Sequence, residues 1–210
     1  DDYYLCPLSK TQVKAEELQK YISDIKEEGI ELEDISYEYA NGKTVVIAKG
    51  YEQLYSCSLK QGESEKIWSE RRLIVYSIAD GQSQKQALQR RIEKTKQSLE
   101  LLNQTRPGKK PFKDFEEFIQ AAEQIITNNR VQSLFNLSFT EDVVQIHQRK
   151  YLERPAGVIE KRTYQVEFTI DLDQVEQQME LLGWRVYATN HPKKELSLAD
   201  AVVAYRQEYL

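Results

Sequence analysis

The first eighty residues alternate between apolar and polar positions in a way that is typical of β-strands. Residues 3–8 form a short aromatic and apolar run, and Ile35, Tyr37 and Tyr39 occupy every second position. The pair Asn41-Gly42 predicts a type I′ turn of a β-hairpin. Apolar or alternating runs then follow at residues 44–48, 51–59 and 66–78. We therefore expect a short first strand and then a meander of about four antiparallel strands.

Helical spacing appears in two places, the first of them within the first eighty residues. Apolar residues between Ala15 and Ile25 predict one helix, which Gly29 would end. After Asp80-Gly81 the pattern changes to steps of four and three at Leu88, Ile92, Thr95, Leu99 and Leu102, and a second stripe follows at Phe115, Phe118, Ile119, Ala122, Ile125 and Ile126. Prolines and a glycine interrupt residues 105–111 between the two stripes. We expect a helical hairpin over about residues 82–129.

The last third of the chain predicts further strands and two capped helices. Residues 135–139 and 164–170 alternate, and residues 142–152 should pair with the latter across a loop at 154–157. Asp171 with Gln174, and Ser197 with Asp200, have the spacing of helix N-terminal capping residues, and a strand is expected at Trp184–Thr189 between the two helices. The predicted fold class is α+β with a largely antiparallel sheet.

Composition narrows the class of protein further. The 210 residues are 40% hydrophobic and 30% charged, with a net charge of −5, which is typical of a folded globular protein. No apolar run reaches the roughly 20 residues of a membrane span, and no leader peptide is visible, so we expect no membrane association. The two cysteines, Cys6 and Cys57, suggest reduced thiols and a cytoplasmic location. Because the sequence starts with Asp1, we expect a piece of a longer protein.

Positive charge is concentrated in one segment. Residues 82–110 hold eight basic and two acidic side chains, a net charge of +6 in a chain of −5. Such a segment could neutralise nucleic-acid phosphates, and the predicted DNA contacts are Lys85, Arg90, Arg91, Lys94, Lys96, Lys109 and Lys110. The alternative is a solvated outer face of an amphipathic helix, and the sequence leaves both open.

Catalytic patterns are missing from the sequence. A nucleophile elbow, a phosphate-binding glycine loop and zinc-ligand spacing are all absent, and His147 and His191 have no nucleophile near them in the sequence. Arg71 and Arg72 are neighbours on a predicted strand, so they should point to opposite faces and at most one could meet a given ligand.

Four stretches together carry a resemblance to a known family: residues 2–9 (DYYLCPLS), 68–77 (WSERRLIVYS), 183–190 (GWRVYATN) and 197–210 (SLADAVVAYRQEYL). The chain resembles the DDE transposases of bacterial insertion sequences, in the group with a tyrosine, arginine, glutamate, lysine signature. The resemblance implies a β-rich insertion domain at 11–182, between the second catalytic aspartate and the catalytic glutamate. Residues 1–10 would be a strand of an RNase H-like core. Residues 183–210 would be the returning strand and the start of the helix that leads to the glutamate.

The family signature can be placed residue by residue. Tyr205 matches the tyrosine and becomes a further expected DNA contact, whereas Glu208 stands where the arginine would be. The glutamate would fall two positions after Leu210, and both aspartates before Asp1. The resemblance therefore implies no catalytic and no metal-binding residue in this chain, which would be inactive alone. For the full-length protein it implies Mg²⁺ or Mn²⁺, DNA at transposon ends as a partner, and a homodimer. A non-catalytic nucleic-acid-binding module and a structural or interaction domain are the alternatives.

Overall fold

A computed structural model describes residues 3–61, 64–104, 111–148 and 157–207. The chain divides into two compact units, the first formed by Asp1–Lys85 with Met179–Leu210 and the second by Gln86–Gln178. The elements in chain order are β1 (Leu5–Pro7), α1 (Ala15–Glu27), β2 (Glu33–Glu38), β3 (Thr44–Gln61), β4 (Ser64–Ser77), α2 (Ile78–Leu102), α3 (Phe115–Asn128), a 3₁₀ turn (Gln132–Leu134), β5 (Phe135–Gln148), β6 (Gly157–Ile170), α4 (Leu172–Leu181), β7 (Trp184–Thr189) and α5 (Leu198–Gln207). The predicted α+β class with a largely antiparallel sheet is confirmed.

The first unit is built on a five-stranded sheet with helices on both faces. The strand order is β1-β7-β4-β3-β2, and every neighbouring pair is antiparallel. Alternate residues of a strand point to opposite faces. Ile74 accordingly packs with Tyr21 of α1, whereas Leu73 and Val75 pack in a core cluster with Val202 of α5. Burial of these apolar side chains on both faces is the main stabilising contribution to this unit.

The predicted meander of about four strands is wrong in its strand count, because β3 is one continuous strand where the sequence suggested two. Glycine usually weakens a strand interior, and Gly50 stands between the two predicted runs. In the structure Gly50 pairs with Val75, and a Cβ added to it would lie 2.7 Å from the Ile74 carbonyl oxygen. Gly50 therefore permits a close approach of β3 to β4 rather than a turn, and the consecutive strands are β2, β3 and β4.

The hairpin between β2 and β3 is present, but its turn is not type I′. That turn requires positive φ at both central residues. Gly42 has φ +77°, whereas Asn41 has no positive φ. The Gly42 amide donates to the Tyr39 carbonyl oxygen, and the Tyr39 amide donates to the Lys43 carbonyl oxygen. The connection is thus a longer loop with glycine at its one left-handed position.

Helix α2 begins before the predicted Gln82 and includes Asp80-Gly81. Gly81 is tolerated there because the Tyr76 ring lies against it, and an added Cβ would meet the Tyr76 hydroxyl oxygen at 2.5 Å. Helices α2 and α3 are the two predicted helices of the hairpin, and residues 105–110, which join them, lie outside the described ranges. The capping predictions are confirmed, since Asp171 accepts from the Gln174 amide and Ser197 from the Asp200 amide.

The second unit joins the two-stranded sheet β5-β6 with α3 and the part of α2 after Lys85. The strands pair from Phe135 with Ile170 to Gln148 with Gly157. The prediction that residues 142–152 pair with 164–170 is wrong, because β5 runs as one strand through both predicted segments: residues 135–141 pair with 164–170, and residues 142–148 pair with 157–163. Residues 149–152 lie outside the described ranges. The ring centroid of Phe118 in α3 lies 5.6 Å from the Tyr164 ring centroid and 6.3 Å from the Phe139 ring centroid. After α2, the Asn103 side chain bonds both the amide and the carbonyl of Val166, and so occupies the position of a further strand beside β6.

Candidate nucleic-acid interface

Three of the predicted DNA contacts share one side of α2. An α-helix turns by about 100° per residue, which places Arg90, Arg91 and Lys94 within an arc of about 100°. The buried residues Leu88, Ile92, Thr95 and Leu99 lie on another side of the same helix. The apolar stripe packs the helix on the second unit, Arg90 and Lys94 are exposed away from that stripe, and Arg91 lies at its edge and is partly buried.

These three side chains line a groove together with the end of α3. The groove has a volume of about 500 Å³, and its lining residues are Arg90, Arg91, Lys94, Asn128, Asn129 and Arg130. We call this surface the basic groove. Four of its six lining side chains are cations, and the other two are amides that donate hydrogen bonds.

The cations of the basic groove have no acidic partner within the described residues. No ion pair involves Arg90, Arg91, Lys94 or Arg130 in that part of the chain. Glu93, the acidic residue nearest to them along α2, accepts from Gln97 and lies 3.9 Å from the Lys96 ammonium nitrogen. Neighbouring like charges repel one another, and an anion placed in the groove would reduce that repulsion.

The remaining predicted contacts on this segment lie elsewhere. Lys85 belongs to the first unit, where its ammonium nitrogen is 5.6 Å from the centroid of the Tyr76 ring. Lys96 lies on the flank of α2 that carries Glu93, on the other side of the apolar stripe. Lys109 and Lys110 lie outside the described residues. The predicted DNA contacts of residues 82–110 therefore do not form one surface, because helix geometry places Lys85 and Lys96 on a different side of α2 from Arg90, Arg91 and Lys94.

Tyr205, the contact expected from the resemblance, packs in the first unit. Its ring centroid lies 4.9 Å from that of Tyr187 in an edge-to-face arrangement, and the side chain packs on the core cluster that contains Leu198 and Val202. Tyr205 is thus a partly buried side chain at the edge of this core cluster.

Sequence reasoning missed Arg130 as a member of the groove. It follows α3 in the run Asn128-Asn129-Arg130, which looks like a polar helix end. A signal was nevertheless present, because helices commonly end with glycine at this position and here the residue is arginine. Only the placement of the end of α3 beside α2 brings Arg130 to the other cations.

Arg71 and Arg72 are a second cationic pair, but internal partners occupy both. They point to opposite faces of β4, as predicted: Arg71 binds Glu52, and Arg72 binds Glu17 at 2.5 Å and the Tyr21 hydroxyl at 2.9 Å. The Arg72 guanidinium carbon also lies 3.3 Å from the centroid of the Tyr55 ring. With these partners, both arginines act as internal ties of the first unit rather than as ligand-binding groups.

Two ionisable groups on the faces of this sheet, the Glu52 carboxyl and the Tyr4 hydroxyl, have shifted pKa values. Burial raises the pKa of the Glu52 carboxyl, but hydrogen bonds from Lys193 and Arg71 outweigh burial and leave that pKa below its usual value. On the other face, burial and the hydrogen bond to Glu70 raise the pKa of Tyr4 to about 12. Both groups keep their ordinary charge at neutral pH, so neither is tuned for proton transfer there.

The two histidines do not form a catalytic pair. His147 is exposed on β5 in the second unit. His191 belongs to the first unit, where its ring stacks on Tyr3 with centroids 4.2 Å apart, and its Nδ1 is buried without a hydrogen-bond partner among the described residues.

The described ranges contain no group of three or more His, Cys, Asp or Glu side chains arranged to hold a metal ion. No helix within those ranges has both the length and the apolar composition needed to cross a bilayer. Comparisons of the chain with protein-family models, with curated proteins and with solved structures found no match.

Proposed function

We propose that this chain is the insertion part of a DDE transposase of the insertion-sequence type, and that its basic groove contacts the DNA backbone. The observation that carries the DNA contact is the groove itself, in which Arg90, Arg91, Lys94 and Arg130 gather without an acidic partner among the described residues. A charged surface of this kind supplies the sequence-independent part of nucleic-acid affinity, because each neutralised phosphate releases counterions.

The transposase assignment is supported by the resemblance of the four stretches named above. On this proposal, β1 and β7 with α5 are pieces of an RNase H-like core, and the three metal-binding carboxylates of the full-length protein lie outside residues 1–210. The Mg²⁺ or Mn²⁺ ions would then be held by those carboxylates and would activate the attacking oxygen and stabilise the leaving one. Transposon ends, a homodimer and a cytoplasmic location complete the proposal for the full-length protein.

The DNA contact is tested by fluorescence anisotropy of a labelled duplex of arbitrary sequence, titrated with the chain at several salt concentrations. The plot of log affinity against log salt falls by about 0.9 per phosphate neutralised. Changing Arg90, Arg91 and Lys94 together to alanine should therefore flatten the slope by up to about 2.7 units.

A matched control removes three positive charges from the first unit. The control changes three lysines on or beside α1: Lys14, Lys20 and Lys26. Four glutamates of the same segment compensate their positive charge: Glu16, Glu17, Glu27 and Glu28. Changing all three to alanine alters the net charge equally and should leave the slope nearly unchanged. Equal slopes for the wild-type chain and the groove variant would overturn the DNA assignment of the groove.

Each of the two alternatives is separated from the proposal by a different experiment. A non-catalytic nucleic-acid-binding module gives the same binding data, and the coding sequence after Leu210 separates it from a transposase. A glutamate two positions on, followed by a lysine seven residues later, is the expected transposase signature. An interaction domain would instead bind an acidic polypeptide such as polyglutamate and not the duplex, in the same anisotropy titration.

A further inference from the structure

Helix α3 ends in a Schellman motif with arginine at the position that glycine normally takes. The Val131 amide donates to the Ile126 carbonyl oxygen at 3.1 Å, and the Arg130 amide donates to the Thr127 carbonyl oxygen at 3.0 Å. These two bonds define the motif, and they require left-handed backbone at Arg130, whose φ is +55°. Arg130 is the one non-glycine residue with positive φ in the described ranges.

Helix α1 provides an internal comparison. It ends in the same way, with the Ile30 amide donating to the Ile25 carbonyl oxygen at 3.1 Å, and its left-handed residue is Gly29 with φ +66°. The left-handed residue that follows α4 is also a glycine, Gly183. The chain thus places glycine after two helices and arginine after the third, although left-handed backbone is unfavourable for a residue with a Cβ.

Among the described residues, no contact of the Arg130 side chain makes arginine more stabilising than glycine at this position. Its side chain is exposed and has no ion pair among the described residues, and it lines the basic groove beside Arg90, Arg91 and Lys94. Each added cation raises the repulsion in the groove when no anion is present. Backbone strain and charge repulsion both destabilise the free protein, and both are offset when an anion binds.

We infer that Arg130 is a phosphate-binding residue of the basic groove, and that the groove clamps the phosphodiester backbone of nucleic acid between α2 and the end of α3. The inference rests on the proposed function and deepens it by naming the contact from α3. Guanidinium groups bind phosphate oxygens through two parallel hydrogen bonds, and three of the four cations here are arginines. The Asn128 side-chain amide is a further donor at the same place, whereas the Asn129 side-chain amide already donates to the Ile125 carbonyl oxygen.

The test is the substitution Arg130→Gly, because glycine is the residue that the motif favours. If Arg130 serves binding at the expense of stability, this variant should lose DNA affinity and gain stability together. We expect about tenfold weaker duplex binding at moderate salt and a salt slope flatter by about 0.9 units. The melting temperature of the second unit should rise by about 4–8 °C, which corresponds to relief of about 1 kcal/mol of strain.

Two further variants separate charge from backbone. Arg130→Lys keeps the charge and the strained backbone, so it should retain the salt slope, lose part of the affinity and show no rise in melting temperature. Lys161→Gln removes one exposed charge from β6 in the same unit and should change neither quantity. Melting is followed by circular dichroism. Fluorescence of Trp68 and Trp184, which both lie in the first unit, identifies the transition of that unit.

The outcomes distinguish this inference from the proposed function. If the Arg90, Arg91 and Lys94 variant loses the salt slope but Arg130→Gly binds the duplex like the wild-type chain, the inference is overturned and the proposed function stands. If the wild-type chain does not bind duplex or single-stranded DNA, both are overturned. Competition by inorganic phosphate at concentrations equal to those of the DNA phosphates would show a site for free phosphate and would also overturn the clamp.

Discussion

The guanidinium group of Arg71 donates a 2.8 Å hydrogen bond to the main-chain carbonyl oxygen of Leu196, which lies 125 residues further along the chain. The same group binds the His191 carbonyl oxygen at 2.9 Å and the Glu52 carboxylate. One buried arginine thus ties β4 to β3 and to the loop between β7 and α5. These contacts hold the loop that leads into α5, and α5 itself packs on the sheet through the core cluster that contains Val202.

Replacing Arg71 with methionine should destabilise the first unit by about 2–4 kcal/mol. The change leaves Glu52 and two carbonyl oxygens short of a partner, and removal of one member of a buried pair costs about 3–5 kcal/mol when nothing compensates. Lys193, which lies 2.6 Å from Glu52, offsets part of that loss. Urea unfolding followed by tryptophan fluorescence measures the effect, because both tryptophans belong to this unit.

The control for Arg71 is Arg185→Met, which removes an exposed arginine of the same unit that pairs with Asp80. Exposed pairs contribute about 0–1 kcal/mol, so this variant should change the free energy of unfolding little. Equal effects of the two substitutions would contradict the role assigned to Arg71.

Lowering the pH should weaken the ion pair between Arg71 and Glu52, because it protonates the Glu52 carboxylate. The pKa of its carboxyl is lower in the folded protein than the ordinary value of 4.5, because Lys193 and Arg71 stabilise the charged form against the effect of burial. A group with a depressed folded pKa contributes stability above its unfolded pKa and loses it as the pH falls through the folded value. The contribution should therefore be complete at pH 7, begin to fall as the pH approaches the unfolded value near 4.5, and be lost only as the pH falls through the lower pKa of the folded protein.

Comparison with Glu52→Gln isolates this effect. The variant should be less stable than the wild-type chain at pH 7, and the difference should shrink as the pH falls from 5 to 3. Glu38→Gln, an exposed position on β2 without an ion pair in the described part of the chain, is the control. A difference for Glu52→Gln that stays constant over this pH range would contradict the prediction.

Gly50→Ala tests the close approach of β3 to β4. The added methyl would lie 2.7 Å from a main-chain oxygen, so the two strands must move apart. We expect destabilisation by about 1–3 kcal/mol, the range of overpacked cores. Gly157→Ala is the matched control, because its methyl would meet nothing within 4 Å. Urea unfolding followed by circular dichroism compares the two variants. An unchanged free energy of unfolding for Gly50→Ala would show that β3 and β4 can accommodate the methyl group.

The purified chain should neither cleave nor join DNA when Mg²⁺ or Mn²⁺ is added. Two-metal phosphoryl transfer requires several carboxylates converging on the ions, and the resemblance places the family's three outside this sequence. Plasmid nicking and oligonucleotide joining assays measure this. Nicking that co-purifies with the chain and stops on addition of EDTA would show that the assignment of residues 1–210 to the insertion is wrong.

Periodic patterns predicted the local structure well where one face of an element is buried. The steps of four and three from Leu88 to Leu102 gave a helix whose stripe is buried, and Trp184–Thr189 is a strand with the predicted bounds. The capping residues Asp171 and Ser197 could be predicted because a capping side chain bonds a main-chain amide only three residues further along the chain. Gly50 and Gly81 were misread as boundaries, because the neighbour that requires a missing Cβ is visible only in the folded chain.

The sequence by itself determined the class of fold, most of the elements and the segment that carries the positive charge, since each of these depends on neighbours along the chain. Tertiary structure decided which cations act together. Helix geometry separates Lys85 and Lys96 from Arg90, Arg91 and Lys94, and the end of α3 adds Arg130 to them. A binding groove is a property of residues that are distant in sequence and adjacent in space, and only packing of α2 beside α3 brings those residues together.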